Sequence, residues 1–124
     1  MTSIGDGAFD NCTSLSSVNI SDGVTSIGDY AFSECTSLSS INIPNSMTSI
    51  GESAFEYCTS LNSINIPKSV MVIGKYAFRS WAASQIINCE VLEADKPAGW
   101  DTHWDCYSAN NDARKAKLYW GVSM

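Results

Sequence analysis

Written in rows of 23, the first ninety residues place almost every apolar side chain in a column. Ile4, Ile27, Ile50 and Ile73 form one column, each followed by a glycine. Ala8, Ala31, Ala54 and Ala77 form the next, with Phe9, Phe32, Phe55 and Phe78 beside them. Cys12, Cys35 and Cys58, then Leu15, Leu38 and Leu61, then Val18, Ile41, Ile64 and Ile87 complete the rows. A fixed period in the twenties marks a stacked-coil solenoid: one coil cannot surround its own side chains, whereas about three or more share a continuous core.

Within a row the polar and apolar positions predict two elements. In SIGDYAFSECTSL, Ile27, Ala31, Cys35 and Leu38 are spaced by four, four and three, one face of a short helix. Gly28 turns the chain into it, and Asp29 sits where the helix dipole is positive. LSSINIP then puts Leu38, Ile41 and Ile43 inward and Ser40 and Asn42 outward, a strand that Pro44 ends. Successive strands lie parallel, about 4.8 Å apart. The expected fold is α/β: a right-handed solenoid of four 23-residue coils, 4–26, 27–49, 50–72 and 73–90, followed by a C-terminal cap over 91–124.

The phrase IGDYAFSECTSLSSINIPNSMTS resembles a repeat of the BspA-like leucine-rich repeat proteins, a bacterial cell-surface class. The tail KPAGWDTHWDCYSANNDARKAKLYWGVSM is similar to the end of such proteins, where P-x-G-W, a second Trp and a final W-G form a cap. Here those residues are Pro97, Gly99, Trp100, Trp104, Trp120 and Gly121. The places that hold Asn in the general leucine-rich pattern are Gly23, Ser46 and Ser69 here, a departure from the receptor-type horseshoes.

MTSIG opens the chain and returns at Met47 to Gly51, so the first residues match the final loop of a coil. Two expectations follow. Either the chain is the carboxy-terminal portion of a longer array, or its uncapped first coil self-associates through Phe9 and unpaired strand groups.

Composition narrows the function. Thirteen acidic against seven basic residues give a net charge of −6, which argues against binding nucleic acid or anionic membrane through a basic patch. No apolar run reaches the roughly 18 residues of a membrane span, and no secretion signal stands at the start. Cys12, Cys35 and Cys58 repeat with the fold, with Trp81 in the fourth row, and read as small buried hydrophobes, since parallel side chains make poor disulfide geometry. Cys89 and Cys106 stand apart, as a bridge pinning the cap or as two buried thiols.

Three places carry polar groups of interest. DTHWDC gathers Asp101, His103, Asp105 and Cys106, either a Cys/His or metal constellation or the wet side of a loop whose Trp100 and Trp104 pack inward. Asp6, Asp29 and Glu52 form an acidic column, a cation site or a row of solvated helix starts, which Lys75 interrupts. The third place is the outward strand face: Ser17, Ser40, Ser63 and Ile86 in one row, Asn19, Asn42, Asn65 and Asn88 in another. In a curved solenoid this is the concave binding surface; the other reading is an asparagine ladder that stabilises the sheet.

No catalytic residue, metal site or cofactor is assigned. The residues and the resemblance together imply a protein-interaction module at the cell surface or secreted, adhesion-related, whose partner is a host or neighbouring-cell protein. The alternative is a structural spacer or stalk without its own ligand.

Overall fold

A computed structural model describes residues 2–82, 84–105 and 116–123. Its strands are β1 (Ser3–Ile4), β2 (Ser17–Asn19), β3 (Ser26–Ile27), β4 (Ser40–Asn42), β5 (Ser49–Ile50), β6 (Ser63–Ile66), β7 (Val72–Ile73), β8 (Ile86–Cys89), β9 (Gly99–Trp100) and β10 (Lys117–Trp120). All pairings are parallel. On one side the two-residue strands stack in the order β1-β3-β5-β7-β9. On another the longer strands form the pair β2-β4 and the triplet β10-β8-β6. The register is that of the sequence columns: Ile4 pairs with Ile27, Ile27 with Ile50, and Ile50 with Ile73.

The third side corrects the α/β expectation. Gly28 to Leu38 and its equivalents form no helix; the only helical turn among the described residues is a 3-10 turn at Glu93–Asp95. The segment is a run of consecutive turns in which alternate N–H groups have different destinations. Ala31, Ser33 and Cys35 donate three residues back within the coil, to Gly28, Tyr30 and Phe32. Tyr30, Phe32 and Glu34 donate to Glu52, Ala54 and Glu56 of the next coil, at 2.8, 2.9 and 2.7 Å. A helix would keep every N–H to itself four residues back, so this backbone trades helical bonds for bonds between coils. The alternation requires a left-handed residue every fourth position: Tyr30 (φ 59°), Glu34 (58°), Ser53 (55°) and Tyr57 (61°). For non-glycine residues this costs about 1–2 kcal/mol each; the N–H of each of these four makes an inter-coil bond.

The core runs down the axis. Phe9, Phe32, Phe55 and Phe78 stack with centroids 5.2, 5.5 and 5.6 Å apart and planes within 6°. The stack ends edge-on against Trp81 and Trp104, at 5.1 and 6.1 Å. Trp100, Trp104 and Trp120 pack together behind it, and the Trp100 indole donates to Val70 O at 3.1 Å. Residues after 90 thus join the same two sheets: Trp100 pairs with Ile73, and Lys117–Trp120 pairs with Ile86–Cys89.

The glycine after each column isoleucine is explained by this stacking. A Cβ on Gly51 would stand 2.6 Å from the Asp29 N and Oδ1 and from the Gly28 carbonyl carbon. Gly28 and Gly74 are hemmed in by the preceding coil in the same way, whereas Gly5 has nothing within 4 Å.

Candidate functional site

The outward rows are placed as the alternation predicts. Ser17, Asn19, Ser40, Asn42, Ser63 and Asn65 are exposed, Ile86 and Asn88 half-buried. Register pairs Ser17 with Ser40 and Asn19 with Asn42 in one sheet, and Ser63 with Ile86 and Asn65 with Asn88 in the other. Val18 and Ile41, beneath the first two coils, are only half-buried, and a groove of about 360 Å³ runs over Ser17 to Asn19 and Ser40 to Asn42.

The asparagines are partly committed to the scaffold. The Asn42 carboxamide accepts from the Ile20 N–H at 2.7 Å and donates to the Ile20 carbonyl at 2.8 Å, standing in for a strand backbone. Asn88 Nδ2 donates to Asn65 Oδ1 at 3.0 Å, one rung of the ladder expected from the sequence. Among the described residues the side chains of Ser17, Ser40 and Ser63 make no hydrogen bond, and their backbones are paired in the ladder.

Sequence reasoning missed the last strand of this face. In β10, Lys117 lies beside Ile86 and Tyr119 beside Asn88, so the serine row continues into a lysine and the asparagine row into a tyrosine that is 47% exposed. The offset of 31 positions from Asn88 to Tyr119 breaks the period of 23, and the alternation Leu118, Tyr119, Trp120 was the one available signal.

The other candidate groups have structural occupations. Asp6 Oδ1 accepts the Asp29 N–H at 2.8 Å, and Asp29 Oδ1 accepts the Glu52 N–H at 2.8 Å. These two carboxylates tie the first coil to the second and the second to the third, and the helix starts assigned to this column are not formed. In DTHWDC, Asp101 Oδ1 accepts the His103 N–H at 2.8 Å, while Trp100 and Trp104 are buried and Asp101, His103 and Asp105 half-buried. Cys106 lies outside the described residues. Lys75 Nζ and the Arg79 guanidinium lie over the Tyr76 ring, 4.8 and 5.1 Å from its centroid.

The cysteine column is a hydrogen-bonded one. Cys35 Sγ donates to Phe9 O and Cys58 Sγ to Phe32 O, both at 3.1 Å. Trp81 Nε1 makes the equivalent bond to Phe55 O at 2.8 Å, so the fourth row exchanges the thiol for another donor. Burial pushes the Cys35 and Cys58 thiols up, and pushes Cys89, a free thiol, up to about 12. These thiols are held protonated at neutral pH, the opposite of what a nucleophile or metal ligand needs.

Residues 1–94 match the model of the BspA type leucine rich repeat region, in six copies. Among solved structures, a T. pallidum leucine rich repeat protein is 35% identical with a TM-score of 0.67, over 71% of this chain and 41% of its own. A leucine rich cell surface protein from Faecalibacterium prausnitzii is 38% identical with a TM-score of 0.67, over 90% of this chain and 28% of its own. A leucine-rich repeat protein from Bacteroides capillosus is 41% identical with a TM-score of 0.54, over 56% of this chain and 50% of its own. The chain thus spans half or less of each of these structures. No curated protein matches it. With the repeat matched over residues 1–94 and its columns stacked in register, the chain belongs to the BspA-type leucine-rich repeat family.

Proposed function

We propose that this chain is a protein-interaction module of a bacterial cell-surface or secreted protein, and that the outward face of β2, β4, β6, β8 and β10 is its contact surface. Parallel strand faces are the usual binding surfaces of repeat solenoids. The observation that carries the reading is the composition of the face: uncharged Ser and Asn rows ending in Ile86, Lys117 and the exposed Tyr119. Tyrosine concentrates binding energy at protein interfaces, whereas short serines supply fit. The surface location rests on similarity to the F. prausnitzii cell surface protein.

The test compares wild type with Ser63→Glu and Tyr119→Ala on the bacterial surface. Both side chains point outward, so both variants keep their melting temperature. The contact reading expects reduced capture of host or neighbouring-cell protein; undiminished capture by both overturns it. A spacer role is favoured by the commitment of Asn42 to Ile20 and of Asn88 to Asn65. Under that reading function survives these variants and changes with the number of coils.

A further inference from the structure

We infer that the strand side of the solenoid carries a hinge between the second and third coils, and that the Asn65 carboxamide closes it by turning from Asn88 to the backbone of Ile43. On their other two sides these coils are joined. Ser26 and Ile27 pair with Ser49 and Ile50, the N–H groups of Tyr30, Phe32 and Glu34 donate across the junction, and the Phe32 and Phe55 rings are stacked. On the strand side β4 and β6 do not pair, so the strands divide into β2-β4 and β6-β8-β10. Ile41 and Ile43 beside this break are half-buried, although Ile20 one coil before and Ile64 and Ile66 one coil after are buried. The junction lies inside the array, with described coils on both sides of it.

The break has a cause in the sequence. Between the third and fourth coils the Glu90 N–H donates to Ile66 O at 3.0 Å and the Ile86 N–H to Asn62 O at 2.9 Å. One repeat earlier the places of these donors are held by Pro67, which has no N–H, and by Ser63. Among the described residues the carbonyls of Ser39 and Ile43 accept no hydrogen bond, and the Ile43 N–H donates none. Ile20 faces Pro44 in the same way, but there the Asn42 carboxamide takes both backbone groups, accepting from the N–H at 2.7 Å and donating to the carbonyl at 2.8 Å. Asn65 holds the place of Asn42 beside Ile43, yet accepts from Asn88 at 3.0 Å. Its side chain therefore has two alternative sets of partners: Asn88 in an open form, and the Ile43 backbone in a closed form whose geometry the Asn42–Ile20 contact already displays. Closing satisfies two half-buried backbone groups at the cost of one side-chain bond exposed to water, so both forms are within reach. Opening and closing change the spacing between the Ser40–Asn42 and Ser63–Asn65 rows, and with it the curvature of the face. Only that consequence rests on the contact-surface reading; the hinge stands without it.

Amide hydrogen exchange of the full chain, followed by NMR, tests the hinge without any partner. Ile43 and Ile20 each follow an asparagine, so their intrinsic exchange rates match and the clamped Ile20 N–H is a direct reference. Protection of the Ile43 N–H should rise in Asn88→Ala, which leaves Asn65 only the Ile43 backbone, and fall in Asn65→Ala, by about two- to tenfold per hydrogen bond. The Phe32 N–H crosses the same junction on the turn side, to Ala54 O at 2.9 Å, and should keep its protection in all three proteins, which also shows that the variants are folded. Ile43 protection that fails to move in these opposite directions overturns the inference. So does Phe32 protection that moves with Ile43, because the coils would then part as a whole instead of hinging.

Discussion

Removing one ring from the phenylalanine stack tests whether identical residues stabilise one another along the axis. Phe55 is fully buried and lies between Phe32 and Phe78, with centroids at 5.5 and 5.6 Å. Phe9 has one ring neighbour among the described residues, Phe32 at 5.2 Å, and is 36% exposed. Truncating a fully buried Phe to Ala costs about 3–5 kcal/mol, transfer and cavity together, and each aromatic pair adds about 0.5–1.5 kcal/mol beyond area. Phe55→Ala loses two pairs and opens an enclosed cavity, so its loss falls at the upper end, about 4–5 kcal/mol. Phe9→Ala loses one pair and about two thirds of the burial, and solvent fills the space, which gives about 1.5–2.5 kcal/mol. Urea unfolding followed by far-UV circular dichroism measures both, with the slope compared to confirm a common unfolded state. Equal losses at the two sites would refute the reasoning, because burial and stacking differ between them and nothing else of comparable size does.

Gly51→Ala places a methyl against the Asp29 and Gly28 backbone at 2.6 Å, a contact that no side-chain motion relieves, and should cost about 1–3 kcal/mol in the same urea assay. Glu34→Gly, at an exposed left-handed position, should leave stability unchanged or raise it by up to about 1 kcal/mol, while Glu34→Val lowers it; thermal melts of the pair decide. Gln85→Leu removes the bonds from Gln85 Nε2 to Cys58 O and Leu61 O and should cost about 1–3 kcal/mol. Cys89 has a folded pKa of about 12 against 9.0 unfolded, so the folded chain holds this proton longer; its contribution is full below pH 9 and is lost as pH rises toward 12, at about 1.4 kcal/mol per pH unit. Urea midpoints from pH 8 to 11 should fall less steeply in Cys89→Ala.

The columns were legible because a solenoid imposes identity: a position that meets its own copy above and below keeps the same size and shape. The helix was misread for a related reason. Spacings of four, four and three between Ile27, Ala31, Cys35 and Leu38 arise equally from a helix face and from successive turns with a left-handed residue every fourth position. Propensity gave no correction, since Tyr30, Glu34 and Tyr57 occupy those positions instead of glycine. The strand face was found because alternation survives burial on one side only. β9 and β10 were hidden by register, Trp100 falling 27 residues after Ile73 and Trp120 31 after Cys89. Gln85 was hidden too: with Ser84 in the leucine column, its side chain turns inward to satisfy Cys58 O and Leu61 O.

Where the repeat is kept and where it is broken separates architecture from recognition. Asp6 and Asp29, the Cys35 and Cys58 thiols and the Asn42 carboxamide all bond to the neighbouring coil, so their repetition is explained without any ligand. Trp81 and Gln85 break the pattern but point inward: Trp81 makes the bond that the Cys35 and Cys58 thiols make in earlier coils, and Gln85 bonds to Cys58 O and Leu61 O. Ile86, Lys117 and Tyr119 break it outward, on the strand face, and satisfy nothing inside the chain that the serine and asparagine rows do not already satisfy. A contact surface built on Ser and Asn alone would bind weakly coil by coil and depend on many coils acting together. One built on Tyr119 and Lys117 concentrates its energy at the tryptophan end, so Tyr119→Ala should reduce capture more than Ser17→Glu at the opposite end, whatever the number of coils in the array.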